Sequence, residues 1–178
     1  MAQSTLRLRC HKTPTMICRC FRYGVMLVGM KRLLSATIAL LLSVSAVAQD
    51  NGYWKATSNT AHSVTGDIII SGERLSIYFQ PFTIADLREL NAEEIAAVFN
   101  FDSADGVHGK LYRLSIAGDR KFLHKNTLCG AEETQYMATA VQGKTMQVAF
   151  FSGSKMPSMK AEDLNNASTL CGTYTYSK

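Results

Sequence analysis

The same four residues occur twice in this chain, as Thr127-Leu128-Cys129-Gly130 and as Thr169-Leu170-Cys171-Gly172. Two cysteines in matching contexts, with a hairpin-like stretch between them, constrain the fold more than any other feature. Bonded to each other, they would hold the end of the chain beside the strand pair that they enclose. Whether they bond depends on the compartment, because disulfides persist where the surroundings are oxidising. The compartment is read at the N-terminus.

Met30-Lys31-Arg32 is a short positive segment, Leu33 to Val44 is mostly apolar, and Ala46-Val47-Ala48 is an A-x-A site. This is the pattern of a secretory signal peptide over residues 30–48, with cleavage expected between Ala48 and Gln49. The apolar run is short of the roughly 20 residues that a membrane span needs. No membrane span is therefore expected in the mature protein, which is assigned to the periplasm or the medium. No cysteine sits at the cleavage point to carry a lipid anchor.

Residues 1–29 lie upstream of a complete signal, hold no acidic residue and have no apolar period. They are expected to be an over-extended, unstructured N-terminus with Met30 as the true start; the other reading is a long positive region. Cys10, Cys18, Cys20 and His11 lie here, but the spacing lacks the second ligand pair of a zinc site. Export leaves Cys129 and Cys171 as the cysteines of a single domain over 49–178, so they are expected to pair. A catalytic cysteine would need a thiolate and a nearby base.

The formal charge of +5 suggests nucleic acid until the charges are located. Seven of the 19 basic residues precede Gln49, and all 14 acidic residues lie at or after Asp50. Residues 49–178 thus carry 12 basic and 14 acidic groups, a net charge of −2, with no stripe to track phosphates. No nucleic-acid partner is expected.

Strand signals follow along the domain. Tyr53 to Ser58 reads as a first strand, and Asn59 to Gly66 as a polar loop. Asp67 to Ser71 and Arg74 to Phe79 flank Gly72-Glu73, a type II′ hairpin signal, with Leu75, Ile77 and Phe79 alternating toward one face. Pro81 ends that run. Asn91 followed by Glu94 predicts a capped helix at 92–99, placed to plug one end of a barrel. Asn100 to Gly109 reads as a solvated loop; its acids do not fit a calcium loop. Lys110 to Ile116, Thr134 to Val141, Thr145 to Ser152 and Thr173 to Tyr176 read as further strands, with a turn at Gln142-Gly143. Val148-Ala149-Phe150-Phe151 is apolar on both faces and marks a central strand. Gly153 to Asn166 is a longer excursion.

About seven short strands and one short helix make a mainly β domain, a small antiparallel meander that is closed or nearly closed and stapled by one disulfide. Chemistry is harder to find. No phosphate loop, nucleophile elbow or metal-ligand spacing is present, and no cofactor is implied. His62, His108 and His124 stand apart from one another. Glu132-Glu133 would point to opposite faces of a strand rather than form a carboxylate pair. Trp54 is expected in the core, with its N–H partnered, and is also a candidate ligand contact. Arg120, Lys121, His124 and Lys125 form a compact basic patch beside Cys129 and are candidates for an anionic partner.

Gly52-Tyr53-Trp54 resembles the G-x-W start of lipocalin-like (calycin) barrels, which implies a barrel closed at one end by the Trp. Gly52 to Ala61, Phe122 to Gly130, Gln147 to Gly153 and Leu170 to Thr173 together resemble a family of small exported bacterial proteins. That resemblance implies export and a compact domain, without an activity or a catalytic residue. The expected function is a non-enzymatic binding module for a small apolar ligand or a protein. An alternative is an inhibitor of a secreted hydrolase, similar to lysozyme inhibitors; a third is a small hydrolase or isomerase using His124 or His108 with a carboxylate. A ligand binder needs an enclosed apolar cavity, an inhibitor a filled core with a protruding loop, and an enzyme a His against a carboxylate in a cleft.

Overall fold

The computed structural model describes residues 50–99, 101, 103, 105–166 and 169–178. The expected signal peptide, its expected cleavage site at Ala48 and Gln49, and the cysteines of residues 1–29 lie outside them.

Among the described residues nine strands form one antiparallel, nearly closed barrel, rather than about seven. They are β1 (Gly52–Ala56), β2 (Ile68–Ser71), β3 (Arg74–Ile77), β4 (Gln80–Thr83), β5 (Ala85–Leu90), β6 (Val107–Ile116), β7 (Thr134–Gln142), β8 (Thr145–Ser152) and β9 (Leu170–Ser177). The spatial order is β4-β3-β2-β1-β9-β8-β7-β6-β5, a meander whose two ends meet where β1 pairs with β9. The edge strands β4 and β5 are consecutive in the chain, with Ile84 alone between them. One stretch therefore pairs with β3 through its first half and with β6 through its second.

The period-2 pattern determines what lies inside. Trp54, Ile68, Ile70, Leu75, Ile77, Tyr112, Leu114, Ile116, Met137, Val148, Phe150, Tyr174 and Tyr176 belong to one buried cluster within the barrel. The alternate residues of β6, β7 and β8 face outward and are buried too. Leu111, Ala138, Ala140, Ala149 and Phe151 form a second cluster with Ile95, Val98 and Met159. The both-faces apolar reading of β8 is thus met by a layer on the outside of the barrel.

Among the described residues three α-helices are present where one was expected. The stretch read as a polar loop holds α1 (Asn59–Val64), capped by Ser58, whose hydroxyl accepts from Ala61 N–H. The capped helix at 92–99 exists as α2 (Ala92–Val98), with Asn91 and Glu94 forming a full capping box. It does not plug the barrel. Ile95 and Val98 pack on the outer cluster, and Gly109 of β6 is glycine because a Cβ there would meet Ile95. The excursion after β8 contributes α3 (Ala161–Asn166), beside α2. The end of the barrel is covered instead by α1 and the loop after β6, whose Ala61, Phe122 and Leu128 join the inner cluster.

Turn positions differ in detail from the expected ones. Gly72 has φ +58 while Glu73 is not left-handed, as a type II′ turn requires. The β7–β8 turn falls on Gly143-Lys144, with Gln142 paired to Thr145 inside the ladder. β6 and β9 run longer than expected, and β3 stops at Ile77, two residues early. Cys129 and Cys171 are bonded, with Cα atoms 4.9 Å apart. The bond ties the start of β9 to the loop that leads into β7.

Candidate functional site

The barrel interior is occupied by side chains. Residues around a cavity wider than a water molecule would expose surface to it. Trp54, Ile68, Leu75, Ile77, Met137, Met146, Val148, Phe150 and Tyr176 each expose 0%. Trp54, the candidate ligand contact, is among them. Its indole N–H donates to the Asp50 carbonyl at 2.8 Å, and the Lys178 ammonium sits 4.4 Å over its ring.

The interior also holds a small polar group. The Asp50 carboxylate accepts from the Tyr112 hydroxyl at 2.8 Å and from the Thr139 hydroxyl at 2.9 Å. Burial, reinforced by that carboxylate, pushes the Tyr112 phenol far above its usual value. Burial likewise pushes Tyr174 up to about 12. The Tyr112 and Thr139 hydroxyls both have the Asp50 carboxylate as partner, so the group reads as a core network rather than a substrate site.

The outer surface is different. β3 and β4 are joined by Tyr78 and Phe79, with φ +48 and +63. A two-residue hairpin with both central residues left-handed is the type I′ pattern, where Asn-Gly is the usual pair. A Cβ in that region costs roughly 1–2 kcal/mol per residue. Phe79 is 94% exposed, its ring 6.0 Å from that of Tyr78. The alternation that assigned Phe79 to the inner face fails here: Leu75 and Ile77 are fully buried and Phe79 stands in solvent. Nearby, Tyr53 and Ile69 face each other across β1 and β2, exposed on the outer face. The Tyr53 hydroxyl donates to Asp67, holding that carboxyl below its ordinary value.

The basic patch lies against this turn. Gln80, the residue after Phe79, donates from its side-chain amide to the Lys121 carbonyl at 3.2 Å, and it shares a shallow cleft with Asp119, Arg120 and Lys121. Phe82 and Phe122 pack against each other with tilted rings, centroids 6.0 Å apart. A single 3-10 turn, Leu123–Lys125, carries His124 and Lys125 at φ +53 and +64. It is pinned to α1, because the Ser63 carbonyl accepts from the Asn126 amide at 2.9 Å and lies 3.2 Å from His124 Nδ1. Arg120, Lys121, His124 and Lys125 are all exposed. The ion pairs among the described residues are Arg88–Glu94 and Lys110–Asp86, so these cations have no ion-pair partner among the described residues. The structure therefore brings the four predicted basic residues together and places Trp54 apart from them, in the core.

Reactive chemistry finds no such assembly. His62 and His108 are exposed, and no described histidine bonds a carboxylate; His124 meets a carbonyl. Glu133 accepts from Ser115 and Gln135 while Glu132 is exposed, so the two acids do not converge. No group of three metal-ligating side chains occurs among the described residues, and no described helix is long and apolar enough to cross a membrane. Sequence reasoning missed Tyr78 and Phe79, because the turn holds no Gly, Asn or Asp to mark it; Pro81, read as ending the run, lies within edge strand β4, paired with Ser76. Comparison with protein-family models, with curated proteins and with solved structures finds no match.

Proposed function

We propose that this is an exported, non-enzymatic binding module that meets a protein partner on its outside, through the Tyr78–Phe79 turn and the basic loop beside it. The observation that carries the reading is an aromatic pair held left-handed and exposed at the tip of a hairpin, on a barrel whose interior side chains are packed against one another. Strained backbone persists where the surrounding structure over-determines it, and such strain clusters at contact sites. A rigid aromatic anchor loses little conformational freedom on docking, and Tyr and Arg are enriched at such hot spots. The packed core supports a protein partner over a small apolar ligand. The disulfide supports an oxidising compartment, in line with the signal-peptide pattern.

A filled barrel with one protruding aromatic and basic loop also suits an inhibitor that wedges into a hydrolase cleft. That is a narrower form of the same reading.

The test places the photo-reactive residue p-benzoylphenylalanine at position 79, and separately at exposed Leu87 on β5, in protein exported by its host. Irradiation should give one discrete protein adduct from position 79 and none from position 87. Absence of an adduct at 79, or equal labelling at both positions, would overturn the reading.

A further inference from the structure

The second surface of note lies on the far layer of the molecule, between α2 and α3. It is an open cleft of about 510 Å³ whose lining includes Ala97 and Met159, with carboxylates from Glu93, Glu94 and Glu162 at its rim. Lys160 is the one cation among its lining residues. Glu94 is committed to Arg88 at 2.6 Å, while Glu93 and Glu162 are exposed with no ion pair among the described residues. Acids in the first turns of α2 and α3 are also where helix dipoles favour them, which accounts for their presence without a ligand. Their convergence from two helices on an apolar floor is a separate fact.

The two surfaces are complementary in shape and charge. The turn presents an exposed phenyl ring next to Gln80, which shares a cleft with Arg120 and Lys121, neither ion-paired among the described residues, and with Asp119 as the one acid there. The groove presents an apolar floor between carboxylates. Resting on the reading that the Tyr78–Phe79 turn docks a protein, we propose that one such protein is a second copy of this chain, with Phe79 of one molecule seated between α2 and α3 of the next. Two different patches are used, so the contact is heterologous. Each molecule keeps a free turn and a free groove, and assembly runs head to tail instead of stopping at a symmetric dimer. The charged rims set the encounter rate and make association salt-dependent, and Phe79 sets the lifetime of the contact.

Sedimentation equilibrium of the exported protein tests this with the protein itself as the probe. Mean mass should rise with concentration past the dimer, and less so in 0.5 M salt than at low salt. Phe79→Ser lacks the plug and keeps the groove. Glu93→Lys/Glu162→Lys keeps the plug and reverses the rim. All three side chains are exposed, so both variants should fold, and each alone should be monomeric or weaker by about tenfold or more, the scale of burying one aromatic side chain. Mixed, they should give a 1:1 complex and nothing larger, because only one productive pairing remains. A wild-type protein that is monomeric at every concentration, variants that associate as wild type does, or a mixture that forms no 1:1 complex would each overturn the inference. A monomeric wild type whose position 79 still cross-links to a different protein would overturn self-association alone and leave the docking turn intact.

Discussion

Tyr78 and Phe79 occupy positions that the turn chemistry would assign to Asn and Gly. Their left-handed backbone is imposed by the register of β3 and β4, in which Ile77 pairs with Gln80 and leaves two residues to reverse the chain. Replacing them by Tyr78→Asn/Phe79→Gly should therefore stabilise the fold, by about 1–3 kcal/mol, while removing the exposed ring. Thermal unfolding checks this; a lower melting temperature would mean that the turn is not strained in the way described. Asp50 is the opposite case, a charged residue that the core needs. Truncation by Asp50→Ala leaves the Tyr112 and Thr139 hydroxyls without their buried acceptor and should cost about 2–4 kcal/mol, read from the denaturant midpoint. Neither residue was legible as special in the sequence. Phe79 continues a clean alternation, and Asp50 sits in a polar run whose partners, Tyr112 and Thr139, are 62 and 89 residues away.

Among the elements, β1, β2 and β3 were legible because each buries one face and writes that burial at period 2; β7 and β8, buried on both faces, were legible as apolar runs, and the largely exposed β4 and β5 carry neither signal. The β2–β3 hairpin and α2 carried their own punctuation in Gly72 and in the Asn91–Glu94 box. What failed was local pattern without a local cause. α1 has no apolar stripe, and Ala61 is its one buried residue. Its helix exists because Ser58 caps it and because the barrel end below needs covering. The Ser58 hydroxyl accepts from Ala61 N–H and also from Thr175 N–H of β9, both at 3.1 Å. Ser58→Ala should thus cost more than a simple cap, about 1–2 kcal/mol, and loosen α1 from β9. Amide exchange checks it: faster exchange at Ala61 and Thr175, with β7 and β8 unchanged, is the expected result. The placement of α2 was misread for a related reason. A capped amphipathic helix signals that it packs on something, without saying whether that is the mouth of a barrel or its outer wall. Gly109 and the small outward residues Ala138, Ala140 and Ala149 were the available clue, since they make room for a helix on that wall.

For the molecule as a whole, the staple and the filled interior set the response to its surroundings. The Cys129–Cys171 bond closes a sequence separation of 42 residues, and Cys129→Ala should lower stability by about 2–5 kcal/mol. An unchanged melting temperature under reducing conditions would speak against that role. Alkali should act through the tyrosines. Tyr112, Tyr174 and Tyr176 have folded-state values raised by burial above the unfolded value near 10. The unfolded chain therefore loses protons first as pH rises, so the stabilisation is complete below about pH 10 and falls above it. The slope approaches about 1.4 kcal/mol per pH unit for each buried phenol. Phenolate absorbance at 295 nm should rise for these three groups together with loss of the fold. Titration of all tyrosines near pH 10 in the native state would contradict the packed interior. The proposed docking of a partner on the outside of this filled barrel is tested directly by native mass spectrometry of protein purified from its host. Wild-type protein should carry added mass in protein-sized steps that are absent from Tyr78→Asn/Phe79→Gly. A retained molecule of a few hundred daltons, present equally in both proteins, would contradict it.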